Sequence, residues 1–245
     1  MATADSVKTK LQGLIDTANA TTGKEDATLT AAVSSLVDGF GSGGGNAEAY
    51  LAMINGTDVI KGGCTVVIPE GVTRVPKYLY SDILRNGIFH LVLSSGVKKI
   101  GEQSFFGIGM SAADRGSTVR LNDDLEIIGA NAFSNASNCV FKNIPSSLVS
   151  IGQYAFSNGS SALSSGYSTS IDLPVIQNIA TRAFQNFNFT GTDIHIGSSI
   201  TSIGGEAFMF KNKPTFTLTI DRAEDAISGA PWGATNATIV WAGDA

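Results

Sequence analysis

A chain of 245 residues is long enough for a small segment plus one larger body with a continuous core. Its net charge of −5 and its charged fraction of only 15% exclude the clustered Lys and Arg that phosphate binding needs, so no nucleic-acid partner is predicted. The 28 glycines, set against 43% apolar residues, suit many short strands joined by turns.

The opening MATADSVKTK lacks the apolar core of a signal peptide, and no apolar run reaches the ~20 residues of a membrane span. Neither signal-dependent secretion nor membrane insertion is therefore expected. Val7, Leu11, Leu14, Ile15 and Ala18 then recur at the offsets of one helix face. Thr21-Thr22-Gly23 breaks that pattern, and Thr28 is suited to cap a second helix. Leu29, Ala32, Val33, Leu36, Val37 and Phe40 form its stripe, which ends at Gly41 and Gly43-Gly44-Gly45. Two short helices with one apolar stripe each cannot bury those stripes on each other alone. Residues 1–40 are thus predicted to be an α-helical pair serving attachment or oligomerisation, a trimer being one such assembly. The alternative is a simple cap on the body that follows. Residues 41–63 are read as a glycine-rich linker and entry segment.

From residue 64 onward one block repeats. Ile68-Val72-Val75-Tyr80 returns as Leu93-Val97-Ile100-Phe105, Leu121-Leu125-Ile128-Phe133, Ile144-Leu148-Ile151-Phe156, Leu173-Ile176-Ile179-Phe184 and Ile196-Ile200-Ile203-Phe208. A degenerate seventh copy reads Ile220, Ile227, Trp232. The third apolar position precedes the aromatic by five residues in every copy, while the stretch from aromatic to next strand varies from 11 to 17. A fixed half and a variable half are the mark of a solenoid, whose coils bury apolar side chains on their neighbours and let insertions bulge from one flank. Alternation in Val119-Arg120-Leu121 and Ile194-His195-Ile196 predicts short strands, stacked in parallel with one face inward. Phe133, Phe156, Phe184 and Phe208 should form one buried column. The glycines after the third position (Gly101, Gly129, Gly152, Gly204) imply either a positive φ or close backbone approach. The predicted fold is mainly β: a solenoid of about seven rungs over residues 64–245 with a short parallel sheet, closed around Trp232 and Trp241.

The motif in SLVSIGQYAF (147–156) and SITSIGGEAF (199–208) resembles the BspA-type leucine-rich repeat of bacterial surface and phage proteins. The string KTKLQGLIDTANATTGKEDATLTAAVSSLVDGFG is similar to the opening of virion structural proteins from phages of Gram-positive hosts. Together the resemblances imply a non-enzymatic virion protein, a fibre, tail or head-decoration adhesin made in the host cytoplasm. Residues 1–40 would contact other virion proteins, and the solenoid would bind a host-surface glycan or protein. The alternative is a bacterial cell-surface or secreted adhesin of the same repeat type.

Catalytic and cofactor signals are few. Gly41-Ser42-Gly43-Gly44-Gly45 is not followed by Lys, and no strand precedes it, so it does not match a phosphate-binding loop. His90 and His195 have no ligand cluster at metal-binding spacing, and no cofactor or metal is predicted. Asp123-Asp124 reads as a solvated turn pair. Cys64 and Cys139 either pair or serve as two small buried residues. The residue before each first core position should face outward, giving the row Val67, Val92, Arg120, Asn143, Asp172, His195, Thr219. Its centre, Arg120, Asn143, Asp172 and His195, is the candidate binding face, or else an ordinary solvated sheet surface. The two long return segments, with Phe106, Met110 and Arg115 in one and Tyr167 in the other, are a candidate loop surface or a disordered decoration.

Overall fold

A computed structural model describes residues 64–81, 89–109, 117–159, 170–224 and 226–243. The predicted helices, with Leu11, Leu14, Ile15, Leu29, Val33, Leu36, Val37 and Phe40, lie outside the described residues. Residues 41–63 and Met110, Arg115 and Tyr167 lie outside them as well.

The described chain alternates longer strands with two-residue strands, all pairing in parallel. Coil one contains β1 (Cys64–Ile68) and β2 (Arg74–Val75), and coil two contains β3 (Phe89–Leu93) and β4 (Lys99–Ile100). Coil three follows with β5 (Ser117–Arg120) and β6 (Ile127–Ile128), and coil four with β7 (Cys139–Phe141) and β8 (Ser150–Ile151). Coils five and six are β9 (Ser170–Leu173) with β10 (Asn178–Ile179), and β11 (Asp193–Ile196) with β12 (Ser202–Ile203). Two closing strands, β13 (Phe216–Ile220) and β14 (Ala237–Trp241), complete the stack. The short strands form one continuous six-stranded sheet, β2 to β12. The longer strands form two four-stranded sheets, β1-β3-β5-β7 and β9-β11-β13-β14, with a break between coils four and five.

Sequence alone suggested seven rungs and a single sheet. Six coils carry both strands; the seventh keeps β13, Ile227 and Trp232 but no second strand among the described residues. In that coil Ala226-Ile227 stand where the other coils carry their short strand; Ile227 is buried and Ala226 is exposed.

The core is a set of columns. Ile68, Leu93, Leu121, Leu173, Ile196 and Ile220 are buried at the strand ends, and Val75, Ile100, Ile128, Ile151, Ile179 and Ile203 line the second sheet. The aromatic column holds as expected and extends further. Tyr80–Phe105, Phe105–Phe133, Phe133–Phe156, Phe156–Phe184 and Phe184–Phe208 stack with ring centroids 5.3, 5.3, 5.7, 5.0 and 6.1 Å apart. Trp232 occupies the same repeat position, buried, with Trp241 against it edge-on at 6.1 Å. Phe141, Phe187, Phe189, Phe210 and Phe216 make a second aromatic group that the repeat pattern did not announce.

The recurring glycines have one cause. No positive φ occurs at Gly101, Gly129, Gly152 or Gly204; instead a Cβ there would lie 2.2–2.7 Å from the backbone nitrogen of the preceding coil. The left-handed residues fall elsewhere, three positions after each core Val or Ile: Tyr78, Gln103, Asn131, Tyr154, Arg182 and Glu206. A second left-handed row, Gly107, Asn135, Asn158 and Asn186, uses the residue types that tolerate that region best. Its asparagines also bond one another, Asn158 Nδ2 to Asn135 Oδ1 and Asn186 Nδ2 to Asn158 Oδ1, each at 3.0 Å.

The cysteines lie in one register column, since Cys64 aligns with Phe89, His90 with Thr118, and Ser117 with Cys139. Three strand spacings place them ~14 Å apart, beyond the roughly 7 Å a disulfide spans. Cys139 is buried, with its Sγ 3.4 Å from the Ile108 carbonyl.

Candidate functional site

Each longer strand turns alternate side chains away from the core, so the longer-strand face displays two outward columns. One column is the predicted row. Val67 pairs with Val92 and Val92 with Arg120; beyond the break Asp172 pairs with His195, His195 with Thr219, and Thr219 with Val240.

Asn143 is not in that row. Coil four holds one more residue between its strand and Leu148 than coil three holds between Val119 and Leu125. The register Val119 to Phe141 therefore carries Lys142 to the place beside Arg120, and the Lys142 N–H donates to the Val119 carbonyl at 2.8 Å. The extra residue folds its side chain back onto the backbone. Asn143 Nδ2 donates to the Leu121 carbonyl at 2.8 Å, and the Leu121 N–H donates to Asn143 Oδ1 at 3.1 Å. A side-chain amide thus supplies both halves of a backbone-like rung.

Two adjoining clefts open along this face. The larger, about 830 Å³, is lined by Val92, Thr118, Arg120, Asn122, Asp123 and Lys142 among others. The smaller, about 300 Å³, shares Asp123, Lys142 and Asn143 and continues past Pro145 to Asp172. The two form one groove running from coil two to coil five, across the break between β7 and β9. Asp124 is committed to structure, its Oδ2 accepting the Gly96 N–H at 2.9 Å. His90 stands in the second outward column, its Nδ1 2.9 Å from Thr118 Oγ1. Phe106 is half-buried on the flank beyond the aromatic column.

Beyond the groove, His195 is held from both sides. Nδ1 lies 2.7 Å from Asp172 Oδ1 and Nε2 lies 2.9 Å from Asp221 Oδ2. Both ring nitrogens face carboxylates, so the imidazolium, which donates from both, is favoured. The hydrogen bond with Asp172 raises the His195 pKa above its usual value, burial opposes it, and the hydrogen bond with Asp221 and the charges of both carboxylates add to the rise. The Asp172 contact was legible from the row; Asp221, one residue past the last core position of β13, was not.

On the adjacent flank Arg182 spans three coils. It donates through Nε to Glu206 Oε2 at 2.7 Å and through an Nη to the Tyr154 hydroxyl at 2.6 Å, with the guanidinium 5.7 Å from the Tyr154 ring centre. Among the described residues no group of three or more His, Cys, Asp or Glu is arranged to hold a metal ion. Nor is any described helix long and apolar enough to cross a membrane.

Short parallel strands, a stacked aromatic column and close-approach glycines at fixed intervals define a leucine-rich-repeat solenoid with a displayed sheet face. The chain belongs to the BspA type leucine rich repeat region family, whose profile matches residues 64–165 and 87–215 in six copies. Searches of curated proteins and of solved structures each found no match.

Proposed function

We propose that this protein is a non-catalytic adhesin of a phage virion. In this reading the solenoid presents its longer-strand face to a glycan or protein of the host surface, and residues 1–40 join it to other virion proteins or to copies of itself. The observation that carries the adhesive part is the groove across coils two to five, lined by side chains of both charges on a rigid stack. A rigid scaffold holds such side chains in place without an ordering cost at each encounter. The repeat family supports an interaction module in general. The virion part rests on the resemblance of the N-terminal string to openings of phage structural proteins.

Mass spectrometry of purified virions tests the location, and sedimentation of the full chain with host cell walls tests the adhesion. The expected results are peptides from residues 1–245 in washed particles and co-sedimentation that weakens with salt. Peptides found only in the host cell envelope would replace the virion reading with that of a bacterial surface adhesin.

A further inference from the structure

Charge in the groove is arranged in an unusual way. Arg120 ends β5, and Asp123 stands in the turn that follows on the same coil, and both line the larger cleft. Both are exposed, yet among the described residues they form no ion pair with each other or with any other side chain. Elsewhere on the solenoid neighbouring opposite charges do find each other, as in Lys77–Glu102, Lys98–Glu126 and Arg182–Glu206. Lys142 adds positive charge beside Arg120, and the smaller cleft leads from Asp123 to Asp172, whose carboxylate is paired with His195. The groove therefore holds Arg120 in the larger cleft and Asp123 and Lys142 in both clefts, with Thr118 and Ser95 as hydrogen-bonding groups of the larger one.

We propose that this groove is a subsite for a zwitterionic unit, one that carries a phosphate or carboxylate and, a few bonds away, an ammonium group. The anion is received by Arg120, whose planar fork suits two oxygens at once, with Lys142 contributing positive potential. The ammonium is received by Asp123, since Asp172 beyond it is already held by His195. A purely anionic ligand meets the carboxylates, and a purely cationic one meets the guanidinium, so each is disfavoured where the zwitterion is matched at both ends. This subsite rests on the adhesive reading of the longer-strand face and specifies what that face selects. The same chemistry occurs in small free molecules and in the repeating units of surface polymers.

The test is calorimetric titration of the full chain with O-phosphoethanolamine, inorganic phosphate and ethylammonium at low ionic strength. The zwitterion is expected to bind at least about tenfold more tightly than either half, as one charged hydrogen-bonded contact is worth that much. Arg120→Gln and Asp123→Asn should each remove most of that advantage, while Arg120→Lys retains part of it. Both positions are exposed, so circular dichroism should find the variants folded. Phosphate binding as well as phosphoethanolamine, or Asp123→Asn tightening the zwitterion, would overturn the proposal; so would unchanged affinity in both variants. If host-wall sedimentation persists in a chain that binds no phosphoethanolamine, the subsite is wrong and the adhesive reading stands. If phosphoethanolamine binds but walls do not, the reverse holds. Displacement of the chain from walls by saturating phosphoethanolamine assigns the unit to a wall polymer, and failure to displace assigns it to a free molecule.

Discussion

His195 and Asp221 are 26 residues apart in sequence, yet His195 Nε2 lies 2.9 Å from Asp221 Oδ2. With Asp172 on the other ring nitrogen, the imidazole ties together three successive coils at the surface.

That clamp predicts a pH dependence. The folded pKa of His195 is raised, so its contribution to stability is complete below the unfolded value of about 6.5 and is lost as pH rises through the folded value. The effect is modest because the side chain is 40% exposed. Melting temperatures of the native chain and of His195→Gln should differ most near pH 5 and converge at alkaline pH. NMR titration should find the His195 pKa lowered by Asp172→Asn and, to a smaller degree, by Asp221→Asn. An unmoved His195 titration in Asp172→Asn would contradict the contact.

Phe156 lies between Phe133 and Phe184 and touches Phe141 edge-on at 5.2 Å. Replacing it with Ala removes a fully buried ring from the middle of the column and leaves a cavity that two rigid neighbouring coils cannot close. The expected cost is about 3–5 kcal/mol, read as a drop in the denaturation midpoint. An unchanged midpoint would mean that the column does not carry the core.

Two glycines two coils apart should respond oppositely to the same change. In Gly152→Ala the new Cβ meets the Ala130 nitrogen at 2.5 Å, which forces neighbouring coils apart and should cost about 1–3 kcal/mol. In Gly205→Ala nothing lies within 4 Å, and the smaller entropy of the unfolded chain should leave stability equal or up to about 1 kcal/mol higher. Chemical denaturation of the two variants decides the matter.

The solenoid should fold without residues 1–40, since its core is built from coil to coil. A chain beginning at Asn46 is expected to be β-rich, cooperative in unfolding and monomeric by light scattering. It should also fail to join particles that the full chain joins. Aggregation of the shortened chain would instead make the N-terminal segment a cover for the first coil.

What could be read from the sequence follows the regularity of the repeat. The buried positions were legible because their spacing is enforced by contact between coils: a residue out of step at Phe156 or Ile151 would leave a hole. The outward row was legible only where the strand kept step, as at Asp172 and His195. In coil four one added residue moved Lys142 into the row, and nothing apolar marked the shift, because Asn143 satisfies its own polar groups on Leu121. The left-handed flank was hidden for another reason. Tyr78, Gln103, Tyr154, Arg182 and Glu206 share a backbone conformation and no side-chain chemistry, so the turn geometry selects them by position alone. Asn135, Asn158 and Asn186 carry the chemistry that conformation favours, and a repeat-aligned reading had the means to find them.

The break between β7 and β9 also has a mechanical meaning. Coils four and five are joined on the second side by the β8–β10 ladder and along the flank by turn bonds such as Phe156 N–H to the Ala183 carbonyl at 2.8 Å. On the longer-strand side no ladder crosses between them. A pull along the stack therefore loads that junction through fewer bonds than its neighbours. Tension between a tethered end and a held ligand would concentrate there, making it the first place to yield under force.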